Sequence, residues 1–174
     1  MAFKKLKLIK NKTTPRILVL CLFLAAGSKA VYAIETLFAG ISPEVNAYSR
    51  SGTALGANLV FGMEFDTNFA VGLKTGFFNN TDTISVWNFQ LLFRFYPLSK
   101  SSSGGLFLQA ESGGIFIYEF GNKFPAFSAG ISTGWRFDLP HNWYFEPAIS
   151  LGYPYIWGIE LAAGYRFRMG ENNG

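Results

Sequence analysis

Between Phe69 and Phe78 the chain reads FAVGLKTGFF, and the same two-residue alternation returns as far as Phe167. One set of alternate positions is bulky and apolar. The other is glycine, serine, asparagine or a single charge. A period of two places the two sets on opposite faces of a strand. Their sizes then decide which face can go inside. Phe, Trp, Tyr and Leu are too large to fill a narrow closed sheet, whereas the intervening residues are small enough. A soluble barrel would have its bulky face inside. The inverted pattern, repeated about eight times, predicts an all-β, antiparallel, up-and-down transmembrane β-barrel with lipid outside.

The punctuation supports eight strands, expected near residues 35–42, 54–65, 69–78, 84–96, 106–118, 126–137, 143–153 and 156–167. Clusters of Gly, Asn, Asp, Ser and Pro lie between them and break pairing. An even count returns both ends of the barrel chain to one side. Alternation is strict in strands two, six, seven and eight. Strand two, for example, sets Leu55, Ala57, Leu59, Phe61, Met63 and Phe65 against Gly56, Asn58, Val60, Gly62 and Glu64. Pro147 lies mid-strand and lacks a ladder donor. Gly113-Gly114 reads as a bulge that would shift the register of strand five. The first strand is expected to stop at Ser42, leaving residues 43–53 as the longest outer loop. Its Glu44, Asn46, Tyr48 and Arg50 are then the one surface epitope of any size.

Aromatic residues gather at strand ends, as rings do at the two headgroup regions. Phe65, Phe69, Phe95, Phe107, Phe137, Trp143, Phe145, Tyr165 and Phe167 form one expected belt. Phe77, Phe78, Tyr118, Phe120, Tyr153, Tyr155 and Trp157 form the other.

The net charge of +4 suggests nucleic acid or anionic lipid, but its distribution does not. Lys4, Lys5, Lys7, Lys10, Lys12, Arg16 and Lys29 all precede residue 34. The remaining eight basic and eleven acidic side chains leave a net −3. The basicity belongs to a leader. A Lys-rich start, an apolar core from Ile17 to Gly27 and small residues after it predict a cleaved secretory signal over residues 1–33. Cleavage is expected after Ala33, with Ala30 as the alternative. The apolar core is shorter than the about 20 residues that a spanning helix needs. The one cysteine, Cys21, falls within it, so residues 34–174 carry no thiol chemistry.

Charges on the inward register are the best lead to function. Glu64, Lys74, Arg94, Glu111, Arg136, Glu146, Glu160 and Arg166 all fall there, four acids and four bases. A narrow lumen has low dielectric, so each is expected to be paired. Equal numbers predict a self-neutralising ion-pair plug. A selectivity lining for a narrow pore is the alternative. Eight strands enclose a space just wide enough for side chains, which favours the plug.

Other chemistry is thinly supported. Glu146 and Glu160 on neighbouring strands suit acid–base work, but Arg136 and Arg166 are expected beside them as structural partners. His141, the single histidine, reads as a polar turn residue in Pro140-His141-Asn142. With one histidine and no cysteine after residue 33, no metal site or cofactor is expected. Ser101-Ser102-Ser103-Gly104-Gly105 lacks the lysine and following helix of a phosphate loop.

The last strand, Glu160-Leu-Ala-Ala-Gly-Tyr-Arg-Phe167, resembles the C-terminal signal that the barrel-assembly machinery reads. Glu160, Tyr165 and Phe167 match it, Ala162 stands where glycine is usual, and a short tail follows. Residues 34–174 resemble the small eight-stranded outer-membrane barrels, the class of OmpA's membrane domain, OmpX and OmpW. That resemblance implies residence in the outer membrane of a diderm bacterium. It also implies contact with outer-membrane lipid, with periplasmic chaperones and with the assembly machinery, and no nucleic-acid partner. A structural role in the envelope or in surface contacts is expected first. A narrow channel or carrier, with a small hydrophobic ligand, is the alternative, and a lipid A-modifying acyl enzyme ranks below both.

Overall fold

The computed structural model describes residues 34–48, 52–65, 68–80, 84–100, 104–119 and 121–169. The leader and the cleavage position at Ala33 lie outside the described residues, as do Arg50 and Phe120. Eight strands follow one another: β1 Ile34–Tyr48, β2 Gly52–Phe65, β3 Phe69–Asn80, β4 Ser85–Phe95, β5 Gly105–Glu119, β6 Asn122–Asp138, β7 Trp143–Tyr153 and β8 Trp157–Arg168. Each pairs antiparallel with its neighbours in sequence, and β1 pairs with β8 to close the barrel. Closure removes the sheet edge, which is what a strand protein in hydrocarbon requires.

The exterior is apolar. Leu59, Phe61, Leu91, Phe93, Ile131, Ile149, Leu151 and Leu161 all stand exposed on the outer wall. Aromatic rings pair across strands at its two ends. Phe69 and Phe95 are register partners with centroids 5.1 Å apart, as are Trp143 and Tyr165 at 5.5 Å, both at the end carrying the barrel's termini. Phe77 and Trp87 pair at 5.9 Å at the opposite end. Such pairs stabilise a sheet on the face where they meet.

Three expectations about this wall are corrected. Phe78, Phe107 and Tyr155 belong to neither belt; all are buried inside the barrel. Phe77 points out, so Phe78 must point in, and Phe107 shares the inward parity of Gln109 and Glu111. The Gly113-Gly114 bulge does not form. Gly113 pairs with Gln90 and Ser128, and Gly114 with Phe89 and Phe127, in unbroken register. A Cβ at Gly113 would collide with the Phe89 carbonyl, so the glycine serves close approach between strands.

The largest correction concerns β1, which runs on through Pro43 to Tyr48. Its pairing with β2 continues from Ser42↔Asn58 to Tyr48↔Gly52. The expected loop over 43–53 is therefore mostly strand. Pro43 does break pairing, but only on the other side. The β1–β8 ladder lapses between Ile41↔Ala163 and Glu44↔Glu160. Pro147 acts the same way: β7 pairs with β8 through it, while the β6–β7 ladder lapses between Gly134↔Ala148 and Phe137↔Phe145. A proline lacks the N–H for one neighbour only, so a closed barrel can hold it at the cost of one local gap.

His141 lies in a short 3-10 turn, Pro140–Asn142, with φ of 61°, and Asn142 follows at 63°. Leu139 N–H donates to the Trp143 carbonyl at 2.8 Å and closes the turn. Positive φ is a region where histidine and asparagine are enriched among non-glycine residues. The turn thus gives His141 a conformational reason to be there.

Candidate functional site

Inside the wall, the small inward residues leave room for long charged ones, and these meet near the axis. All eight charges expected in the lumen are buried there: Glu64, Lys74, Arg94, Glu111, Arg136, Glu146, Glu160 and Arg166. A ninth, Glu44, joins them. The sequence reading missed it by placing it in a loop. Among the described residues the buried set is thus five acids against four bases, and it does not balance.

The nine fall into three groups. Toward the end with the barrel's termini, Arg136 bonds Glu64 through Nη1 and Glu146 through Nε. Arg94 Nη1 reaches the same Glu146 oxygen at 2.7 Å. Two guanidiniums and two carboxylates make this group neutral. Aromatic faces complete the surroundings of both arginines: Arg136 lies 4.6 Å from the Tyr144 ring centroid, and Arg94 lies 4.1 Å from that of Phe107. Attraction between cation and ring offsets part of the desolvation that burial imposes.

The second group lies farther along the lumen. Lys74 Nζ stands 2.9 Å from Glu160, 3.0 Å from Glu44 and 3.4 Å from Glu111. One ammonium therefore serves three carboxylates. Ser42 Oγ donates to Glu160, and Asn58 Nδ2 donates to Glu44 at 2.7 Å. Gln109 joins the two groups: it accepts from Arg94 Nε at 2.8 Å and donates to Glu111 at 2.6 Å.

The third group is a rim pair, Arg166 to Asp138 at 3.0 Å. Arg166 was expected beside Glu146 or Glu160; its salt bridge goes to Asp138 instead. Nor do Glu146 and Glu160 work together, since one belongs to the arginine group and the other to the lysine group. The assembly-signal residues Tyr165 and Phe167 lie on the outer parity of β8, with Glu160 inside.

One apolar cluster packs around the arginine group, and another caps the far end of the charged column. Phe38, Leu92, Tyr96, Phe107 and Tyr144 pack at the terminal end. Ala54, Phe78, Val86 and Ile115 pack at the other, with Tyr48 beside them. Two tyrosines cross the lumen over glycines. A Cβ at Gly164 would collide with the Tyr144 ring, and one at Gly130 would stand 2.6 Å from the Tyr155 hydroxyl. Tyr155, in the β7–β8 turn, has its phenol pushed above the ordinary tyrosine range, chiefly by burial and further by Glu111 and Glu44. It therefore stays a neutral lid.

No family model matches the sequence, and no curated protein matches it. Solved structures do. The crystal structure of Neisserial surface protein A aligns with a TM-score of 0.55 at 13% identity, over 77% of this chain and 96% of that one. The N-terminal β-barrel domain of Pseudomonas aeruginosa OprF aligns with a TM-score of 0.48, also at 13% identity, over 78% and 99%. At such identities the likeness is one of fold, and it is carried by the first match. The chain has the fold of the small eight-stranded outer-membrane barrels.

Proposed function

We propose that this barrel resides in the outer membrane of a diderm bacterium, closed along its axis by its own side chains, and serves a structural role in the envelope. The observation that supports closure is the order of layers in the lumen. A neutral arginine group packed among aromatic rings, a lysine group and an apolar cluster succeed one another along the axis. The lumen space under the Tyr155 lid amounts to about 20 Å3, roughly room for one water. A path for a hydrated ion would need several of these contacts to break together.

The exterior supports the lipid contacts. Loops joining the strands at the outer end are short, and Glu44 and Asn46 are buried rather than displayed. That weighs against a large surface epitope. Recognition of the last strand by the assembly machinery rests on Tyr165 and Phe167, whose outward parity leaves them available to it. We infer no catalytic role. His141 stands exposed in the β6–β7 turn, and Glu146 is taken up by two arginines.

Planar-bilayer conductance of the refolded chain tests closure against the alternative, a narrow channel. Silence across a wide voltage range is the expected result. Reproducible steps that change when Arg94 or Arg136 is neutralised would make the protein a channel.

A further inference from the structure

The outer wall is not evenly convex. Two rows of outward side chains cross β4, β5, β6 and β7 in register. One runs Phe93, Ala110, Ile131 and Leu151; the next runs Phe95, Leu108, Thr133 and Ile149. Each row holds one small residue among large ones, Ala110 in the first and Thr133 in the second. The two gaps are diagonal neighbours and merge into one apolar groove of about 600 Å3, which reaches Phe69 on β3. Thr133 Oγ1 donates to the Phe107 carbonyl at 3.0 Å, so its hydroxyl proton is already taken.

The groove has a direction. Phe69 opens β3 at the end carrying the barrel's termini, whereas Leu151 stands two residues short of the opposite end of β7. The four spacings from β3 to β7 come to roughly 19 Å. Strands tilt across a barrel wall, so a row perpendicular to them climbs obliquely through the apolar band. The result is a trough that starts at the Phe69 and Phe95 belt and leads toward mid-bilayer. Hydrocarbon surrounds this wall, and a gap left empty there would forfeit the dispersion contacts of its lining. The secretory leader expected before Ile34 delivers the chain to the periplasm, where both ends of the barrel stay. The trough therefore opens to the periplasmic leaflet, which is built of glycerophospholipid.

We propose that this groove seats one acyl chain of a periplasmic-leaflet phospholipid and holds it more tightly than the lipid around it. Ala110 and Thr133 form the floor, and Phe93 and Ile149 stand as walls on either side. The groove is continuous with a wall that lipid covers, and its floor leaves no polar group for a hydrocarbon chain to strand. The seat rests on the reading of the wall as lipid-facing and adds a fixed site to it. It does not depend on whether the lumen conducts.

Native mass spectrometry tests this on the refolded full chain, released by detergent from vesicles of phosphatidylethanolamine and phosphatidylglycerol with added lipid A. One phospholipid retained per chain is expected. Ala110→Leu and Thr133→Leu fill the floor with the protein's own hydrocarbon. Each should lower the retained fraction about fivefold or more, as the loss of a few buried methylene contacts would. Ala163→Leu, an outward small residue on β8 away from the groove, should leave it unchanged. A heat-dependent gel shift confirms that each variant is closed. No phospholipid on the unaltered chain, lipid A in its place, a lipid-free dimer, or equal retention in both floor variants would overturn the proposal. A wall turned away from lipid is a separate failure, in which Ile131→Arg would cost no stability.

Discussion

Arg136 and Glu146 face each other across β6 and β7 where the main-chain ladder is missing, and their side chains make the link that the backbone does not. Counting from Gly134↔Ala148 and Phe137↔Phe145 sets Arg136 opposite Glu146, and Trp135 opposite Pro147. Arg136 Nε bonds Glu146 Oε1 at that level. The β1–β8 seam repeats the arrangement: Pro43 interrupts the ladder, and Ser42 bonds Glu160 across the gap. At both prolines the lumen side chains therefore do two jobs, pairing charge and joining strands.

Removing Glu146 should consequently cost more than removing an ordinary buried carboxylate. Glu146→Ala strands Arg94 and leaves Arg136 with Glu64 alone, and breaking a buried pair costs about 3–5 kcal/mol. Lys123→Ala, a rim cation over the Phe116 ring, should cost about 1 kcal/mol or less. Urea midpoints of the two refolded variants, read by the heat-dependent gel shift of a closed barrel, make the comparison. Equal midpoints would refute the linking role.

Lys74→Met should destabilise by at least about 3 kcal/mol, because three carboxylates lose their shared cation. Adding Glu160→Gln to that variant should recover part of the loss. Recovery is specific to the lysine group: Glu64→Gln, in the arginine group, should not rescue. The midpoints of the single and double variants form the cycle that tests it.

Gly164→Ala should cost about 1–3 kcal/mol, the usual penalty for overpacking. Its added methyl meets the Tyr144 ring. In a Tyr144→Leu background the same substitution should cost measurably less. A cost unchanged by the background would mean that the Ala39 carbonyl, also close to the added methyl, sets the limit instead.

On the outer wall, Ile131→Arg near the middle of β6 should lose about 2–4 kcal/mol in lipid vesicles. Phe137→Arg, on the same face at the end of the same strand, should lose about 0–1 kcal/mol. The two residues are exposed at 63% and 49%, so depth in the bilayer is the variable read. Equal losses would contradict a lipid-facing wall.

Much of the fold was legible because hydrocarbon and a narrow lumen impose opposite demands on alternate residues. Strand two could be assigned residue by residue from that rule alone. The rule failed where a residue's parity and its usual preference disagreed. Pro43 looked like a strand end, so the alternation of Ser42, Glu44 and Asn46 beyond it went unread, although it was present in the letters. Phe107 and Phe78 looked like belt aromatics by type, while their parity pointed inward.

The sequence by itself determined an eight-stranded, inside-out β-barrel and the identity of eight of the nine charges buried among the described residues, because parity and side-chain volume are local properties. Only the tertiary structure decided which charges meet. Partners such as Lys74 and Glu160, or Arg136 and Glu64, come from strands far apart in the chain and join across the lumen. Their pairing depends on strand stagger and on side-chain length across the barrel, and neither is written in any one strand.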